Sequence, residues 1–339
     1  MPLRSKVRAL GFVLLIVFAG VWPLLLESRA QDAAGEAPNP TAQSVTEQQL
    51  LQQRRRIEGR ITIPDPNAAT LEQPQGRTYQ AFHERVLPWI GGVAILGMLV
   101  ALAAFYLIRG PITLDRPLTG TRIKRFVWIE RFAHWLTAAS FIILAVTGLN
   151  YVFGKRLLMP LMAPEAFATW SQWAKYMHNA FPWPFMLGVL MMIGLWLRDN
   201  LPDRYDIEWL RQFGGFFSHR HPPAGRFNAG QKLIFWSVAL GGLTLIGSGL
   251  VMLFPFSSGG IGGTQVAQYV HATAAMVLVA IILAHIYIGT IGMPGAVDAM
   301  VSGDVDLAWA SEHHRVWLEE EGARTADRPQ LGQGAVPAE

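Results

Sequence analysis

The sequence predicts an all-α membrane protein. Its 339 residues are 51% hydrophobic and only 15% charged, whereas about a quarter of the residues in a typical soluble domain are charged. Five apolar runs after the N-terminal region are long enough to cross a bilayer as helices, which takes about 20 residues each. These runs are continuous and do not alternate, which excludes a β-barrel. The predicted spans are 88–108, 132–154, 176–197, 233–256 and 265–293.

The first 86 residues precede these spans. Residues 1–30 are interpreted as a signal peptide, because Arg4, Lys6 and Arg8 precede an apolar core that small residues follow. An uncleaved anchor helix is the alternative. Residues 31–86 are polar and rich in Gln, Ala, Pro and Arg, and we expect a periplasmic segment with little core of its own.

Basic residues predict the orientation of the spans. The loops 109–131 and 198–232 carry six Lys or Arg each, whereas the loop 155–175 carries three and the loop 257–264 carries none. Cytoplasmic loops are enriched in basic residues, so the mature N-terminus is predicted to be periplasmic and the tail 298–339 cytoplasmic. We therefore expect a multi-pass protein of the bacterial inner membrane. The net charge of +4 is modest, and no nucleic-acid partner is predicted.

Four histidines interrupt the apolar spans. His271 and His285 are fourteen residues apart in one span, so a helix would place them on nearly the same face, about 21 Å apart. In the predicted topology, His178 lies at the depth of His271 and His134 lies at the depth of His285. Placing an ionisable side chain inside a membrane costs free energy, and such residues usually have a function. The four histidines therefore predict two metal centres stacked across the membrane.

The metal group that fits these positions is haem b with two axial imidazoles, which suits electron transfer. The chain has no cysteine, which excludes disulfides, thiolate sites and covalently attached haem. Zinc is the alternative metal, but no carboxylate lies at a matching depth to complete a tetrahedron. The alternative of a different class is a haem-free transporter or assembly factor that uses the histidines for proton coupling. The repeated halves of many transporters are absent from the sequence.

Several short motifs run from the second predicted span into the tail. They are RFAHW at 131–135, TG at 147–148, MH at 177–178, RFNAGQK at 226–232, FWS at 235–237, HA at 271–272, AHIY at 284–287 and HHRVW at 313–317. Together they resemble the gamma (cytochrome b) subunit of membrane-bound formate dehydrogenase. The resemblance covers about residues 120–318, and the NAGQK box at 228–232 is its most specific part.

This resemblance implies a dihaem cytochrome b four-helix bundle over residues 110–297, plus one extra N-terminal transmembrane helix over residues 87–109. The outer-side haem would be held by His178 and His271, and the cytoplasmic-side haem by His134 and His285. Electrons would come from a molybdenum- or tungsten-containing alpha subunit that oxidises formate, pass through an iron–sulfur beta subunit, and reduce a quinone. The alternative host is a hydrogenase or a thiosulfate-type reductase.

A quinone site is predicted at the cytoplasmic end of the fourth span. Amide side chains can donate hydrogen bonds to a quinone carbonyl, and Asn228, Gln231 and Lys232 lie at the predicted depth of His285. The alternative is that Asn228 only caps the helix that follows it, and that Lys232 is an ordinary anchor at the membrane surface.

Overall fold

The computed structural model describes residues 76–217, 221–255 and 260–326. The predicted signal peptide and most of the predicted polar segment lie outside these residues. The main elements are α1 Leu87–Arg109, β1 Arg122–Lys124, α2 Trp128–Leu149, α3 Pro164–Ala180, α4 Pro182–Trp196, α5 Arg204–Arg211, α6 Ala229–Leu253, α7 Gly260–Tyr287, α8 Asp298–Val301, β2 Asp304–Asp306, α9 Leu307–His313 and α10 Arg315–Ala326. Five helical segments of the described chain are long and apolar enough to cross a membrane. The predicted all-α membrane fold is confirmed.

The chain divides into two compact units. Among the described residues, 154–173 belong to the first unit, and 76–153 and the described residues from 174 onward belong to the second. The described part of the first unit consists of a helical turn at Lys155–Leu157, a 3₁₀ turn at Met159–Leu161 and the beginning of α3. All packing, contacts and sites described below belong to the second unit.

The first span begins earlier than the predicted start at residue 88. A short helix, Gly76–Ala81, and a π-helical turn, Phe82–Val86, run directly into α1, and the membrane-length segment is Thr78–Arg109. Pro88 lies at the junction between the π-helical turn and α1, and because proline has no N–H it interrupts the helical hydrogen bonds at this point. The end of the predicted polar segment is therefore helical.

The third span differs more from the prediction. Residues 155–175 were expected to form a loop, but α3 begins at Pro164, and the whole membrane-length segment is Pro164–Trp196. The sequence of α3 mixes polar and aromatic residues, so its hydropathy is too low to predict a span although its helix propensity is adequate. His178 consequently lies in the last turn of α3, just before Pro182 starts α4.

Small residues set how closely the helices pack. A Cβ built on Gly188 of α4 would lie 2.9 Å from the backbone N of Thr137 on α2 and would also collide with the Thr137 hydroxyl. On α1, a Cβ at Gly91 would lie 2.7 Å from the Met276 sulfur of α7. These contacts hold α2 against α4 and α1 against α7, as small residues commonly do between membrane helices.

The tail packs back onto the membrane helices. Strand β2 pairs antiparallel with β1, with Ile123 opposite Val305. The Arg125 guanidinium, 4% exposed, is enclosed by the rings of Trp309 and Trp317, whose centroids lie 5.1 Å and 5.5 Å from its central carbon. The tail therefore covers the end of the bundle at which α2 begins.

Candidate functional site

The four membrane histidines form two pairs across helices. The rings of His134 on α2 and His285 on α7 have centroids 6.1 Å apart, and we call them the tail-side pair because Trp135 donates a hydrogen bond to Met300 of the tail. The rings of His178 on α3 and His271 on α7 lie 6.2 Å apart and form the far-side pair. The structure brings together the histidines that the sequence predicted to share a depth.

A hydroxyl holds each ring of the far-side pair. The Thr147 Oγ1 lies 2.9 Å from Nδ1 of His178, and the Ser248 Oγ lies 3.0 Å from Nδ1 of His271. Both hydroxyls are themselves committed as donors, to the carbonyls of Ile143 at 2.7 Å and of Thr244 at 2.6 Å. Each hydroxyl therefore accepts from the ring, and each Nδ1 carries the proton.

A backbone carbonyl gives the same tautomer for His271. The Leu245 carbonyl lies 3.1 Å from Nδ1 of His271. A carbonyl can only accept, so this Nδ1 is a donor, as the hydroxyl contacts indicate for both rings. A neutral imidazole has one protonated nitrogen, which leaves the Nε2 lone pair of both rings available as a ligand.

Glycines follow both hydroxyl residues. A Cβ at Gly148 would lie 3.2 Å from Cε1 of His178, and a Cβ at Gly249 would lie 3.4 Å from Cε1 of His271. Glycine thus lets each ring lie directly against the neighbouring helix. A hydroxyl residue followed by glycine positions the ring from α2 in one case and from α6 in the other.

The tail-side pair has no such support. Nδ1 of His134 is buried without a hydrogen-bond partner among the described residues. The ring of His134 instead packs edge-on against Trp135, with centroids 5.1 Å apart. The two pairs therefore share their spacing but differ in the groups that surround the rings.

The spacing of both pairs fits a metal ion between two imidazoles. A metal–imidazole bond is about 2.0–2.1 Å long, so the two ligating nitrogens would be about 4 Å apart, and the ring centres lie farther apart than the nitrogens. The available Nε2 lone pairs of the far-side rings suit such a site. No other type of ligand is needed for a haem with two axial histidines.

Comparison with known proteins identifies the family. The sequence profile of the family described as prokaryotic cytochrome b561 matches residues 125–303, which include all four histidines of the two pairs. The chain belongs to the prokaryotic cytochrome b561 family. It is therefore a multi-pass membrane cytochrome b, and cytochromes b carry haem b.

The chain is also similar to cytochrome subunits of formate dehydrogenases. The cytochrome b556(Fdo) subunit of formate dehydrogenase from Escherichia coli K12 is 31% identical over 202 residues, covering 58% of this chain and 92% of that protein. The nitrate-inducible cytochrome b556(Fdn) subunit of the same organism is 28% identical over 204 residues, covering 58% and 91%. The cytochrome b556 subunit of formate dehydrogenase from Haemophilus influenzae is 29% identical over 212 residues, covering 59% and 84%.

The residues of the predicted quinone site are engaged within the protein. Asn228 is the N-cap of α6: its Oδ1 accepts from the Gln231 backbone N at 2.9 Å, while the Gln231 Oε1 accepts from the Asn228 backbone N at 3.0 Å. Lys232 is 5% exposed and donates to Asp203 and Asp206 at 2.8 Å and 2.9 Å. Lys232 is thus a buried ion-pair partner and not an exposed anchor. The N-cap hydrogen bonds use only the side-chain oxygens of Asn228 and Gln231, so their NH₂ groups can still donate.

The tail contributes a residue whose role the sequence analysis did not predict. His314 is 1% exposed; its Nδ1 donates to the Gly225 carbonyl at 2.8 Å, and its Nε2 accepts from Arg125 at 2.9 Å. Burial and the Arg125 charge hold the pKa of His314 well below its usual value, so the ring stays neutral and can accept. Burial, together with the charge of Arg226, lowers the pKa of Arg125 to about 9.

Proposed function

We propose that the chain is the membrane-embedded cytochrome b subunit of a formate dehydrogenase, carrying electrons from an iron–sulfur subunit through two b haems to a quinone. The observation that carries the proposal is the presence of two histidine pairs, at 6.1 Å and 6.2 Å, at opposite ends of one bundle. The similarity to cytochrome b556 subunits of formate dehydrogenase supports formate dehydrogenase as the host complex.

In this proposal each histidine pair would hold one haem b. His178 and His271 would hold one haem through Nε2, and His134 and His285 would hold the other. When bound, haem b would supply reversible one-electron transfer, and two histidine ligands suit electron transfer rather than the binding of oxygen.

The bundle provides the surroundings that such transfer needs. Apolar helices exclude water from the membrane interior, and the neutral far-side rings keep their protons on Nδ1, away from the metal. The orientation follows the positive-inside prediction: the far-side pair faces the periplasm, where the iron–sulfur beta subunit and the molybdenum or tungsten alpha subunit dock, and the tail-side pair faces the cytoplasm.

Quinone reduction is proposed at the tail-side end, next to His285. Asn228, Gln231 and Lys232 all lie in the first turn of α6 or at its N-cap. The amide oxygens of Asn228 and Gln231 are used in the cap, so their NH₂ groups remain as donors toward a quinone carbonyl. Lys232 has three N–H donors and gives two to aspartates, which leaves one for the site or for proton supply.

The host complex is tested by optical spectra of membranes that contain the intact complex. We expect formate to produce reduced b-type haem bands of the same size as those produced by dithionite, since the electrons enter from a formate-oxidising partner. Bands that appear with dithionite alone would remove formate dehydrogenase as the host and favour a hydrogenase or a thiosulfate-type reductase. The absence of haem bands would overturn the cytochrome proposal itself.

The quinone role of Asn228 is separated from its capping role by two substitutions. Asn228→Ser retains an N-cap oxygen, so the stability of α6 should change little, whereas Asn228→Ala should cost about 1 kcal/mol. Both variants lose the amide donor. We expect both to slow formate-to-quinone electron transfer by about 5- to 30-fold, which corresponds to the loss of a hydrogen bond of about 1–2 kcal/mol.

The formate-reduced haem spectrum of these variants serves as the control, because haem reduction precedes the quinone step. A Ser variant with normal quinone reduction, beside an Ala variant that is both unstable and slow, would assign Asn228 to capping alone.

A further inference from the structure

We infer that Thr147 and Ser248 are positioning residues that lower the reduction potential of the far-side haem relative to the tail-side haem. The inference rests on the proposed function, because it concerns the two haems that the histidine pairs would hold. It goes beyond that proposal by assigning the direction of electron flow to two hydroxyl side chains that belong neither to the ligands nor to the quinone site.

The hydroxyls of Thr147 and Ser248 lie in a buried environment. Thr147 is 4% exposed and Ser248 is 9% exposed, so neither competes with bulk water for its hydrogen bond. Each donates its own proton within its helix and accepts from a ring Nδ1. Donation within the helix already satisfies each hydroxyl proton, so the contact with the histidine ring is an additional hydrogen bond.

The hydrogen bonds to these hydroxyls change the basicity of the two far-side imidazoles. A hydrogen bond from the second nitrogen of a ligating histidine to an oxygen fixes the tautomer and raises the basicity of the ligand. A more basic imidazole stabilises the oxidised metal over the reduced metal, and hydrogen bonding around a haem is one of the means by which a protein sets its potential. Both ligands of the far-side haem donate this bond, His178 to Thr147 and His271 to Ser248.

The tail-side pair differs from the far-side pair in the hydrogen bonds of its rings. Nδ1 of His134 is buried without a partner, and within the described residues neither His134 nor His285 has a hydroxyl partner. The imidazoles of the tail-side haem are therefore weaker electron donors to their metal, and its potential is higher. An electron that enters at the far side is thus driven toward the tail side, where the quinone site is proposed.

The test is a potentiometric titration of the purified complex, followed by the absorbance of the b haems. Val replaces Thr147 with nearly the same shape, and Ala removes only the oxygen of Ser248. In Thr147→Val we expect the reduced-to-oxidised ratio of the far-side haem, at a fixed potential, to rise about three- to tenfold. In Ser248→Ala we expect a smaller rise, because the Leu245 carbonyl can still accept from the His271 ring. A tenfold rise equals about 59 mV for one electron.

Further variants separate this role from packing. The double variant should add the two shifts, because the hydroxyls serve different rings. Thr147→Ser keeps the hydroxyl and should restore the original potential. Thr244→Val is the matched control: the Thr244 hydroxyl on α6 also donates within its helix, to Leu240 at 2.8 Å, but it has no histidine partner, and no shift is expected. The tail-side wave should stay in place throughout.

The possible failures are distinguishable. If the unmodified complex shows fewer than two haem waves, the two-haem proposal fails and the inference fails with it. If two waves are present but the far-side wave does not move in the double variant, or moves equally in Thr244→Val, the inference alone is overturned. A His271→Ala variant identifies the far-side wave as the one that disappears.

Discussion

Replacing His178 with alanine should remove about half of the haem b from the complex, because one of the two proposed haems would lose a histidine ligand. The His271→Ala variant should lose the same haem. Since both substitutions act on one site, the double variant should retain as much haem as either single variant. The measurement is the pyridine-haem content per complex, together with the reduced spectrum.

Combining His178→Ala with His134→Ala should instead abolish haem binding, because these ligands belong to different pairs. His83→Ala is the matched control: the ring of His83 stacks at 6.0 Å on Tyr79 near the start of the first span and has no place in either pair. A haem content that falls stepwise with each histidine, regardless of pair, would contradict the pairing described here.

Replacing Arg226 with methionine should destabilise the protein by about 3–5 kcal/mol, the usual cost of breaking a buried ion pair. The Arg226 guanidinium donates at 2.6 Å to Glu130 and at 2.6 Å to Asp199. Glu130 is 5% exposed and also accepts from the Trp196 indole at 2.8 Å. Without Arg226, its carboxylate remains buried with no cationic partner. The measurement is the midpoint of thermal unfolding in detergent, followed by circular dichroism.

Two controls test the reasoning. Arg226→Met combined with Glu130→Gln removes the stranded charge and should recover part of the loss. Lys124→Met breaks an exposed ion pair, Lys124–Asp304 at 2.9 Å with the lysine side chain 60% exposed, and should cost at most about 1 kcal/mol. Equal losses for Arg226→Met and Lys124→Met would show that burial does not determine the strength of these pairs.

The parts of this protein that follow from one-dimensional patterns could be predicted from the sequence. The spans are long apolar runs, and helical spacing alone places His271 and His285 on one face of α7. The predicted start of the third span, residue 176, was wrong because residues 164–175 are polar for a span. Hydropathy indicates which residues are buried in lipid and does not show where a helix begins.

Contacts between distant residues could not be predicted in this way. Thr147 and Ser248 read as ordinary small residues in a span until the structure places them beside rings 31 and 23 residues further along the chain. Lys232 likewise has the position of an interface anchor, and only the fold supplies its aspartates. One sequence pattern could have indicated these hydroxyls: a hydroxyl residue is followed by glycine at Thr147-Gly148 and at Ser248-Gly249.

The enclosure of Arg125 has a consequence for biogenesis. Its guanidinium lies just before α2, but the rings of Trp309 and Trp317 that cover it leave the ribosome only after every membrane helix has been made. Chains fold from the N-terminus during synthesis, so this end of the bundle stays uncovered until the tail has been translated. In the proposed two-haem arrangement, the haem of the tail-side pair would enter from this end during that interval, before the tail covers it.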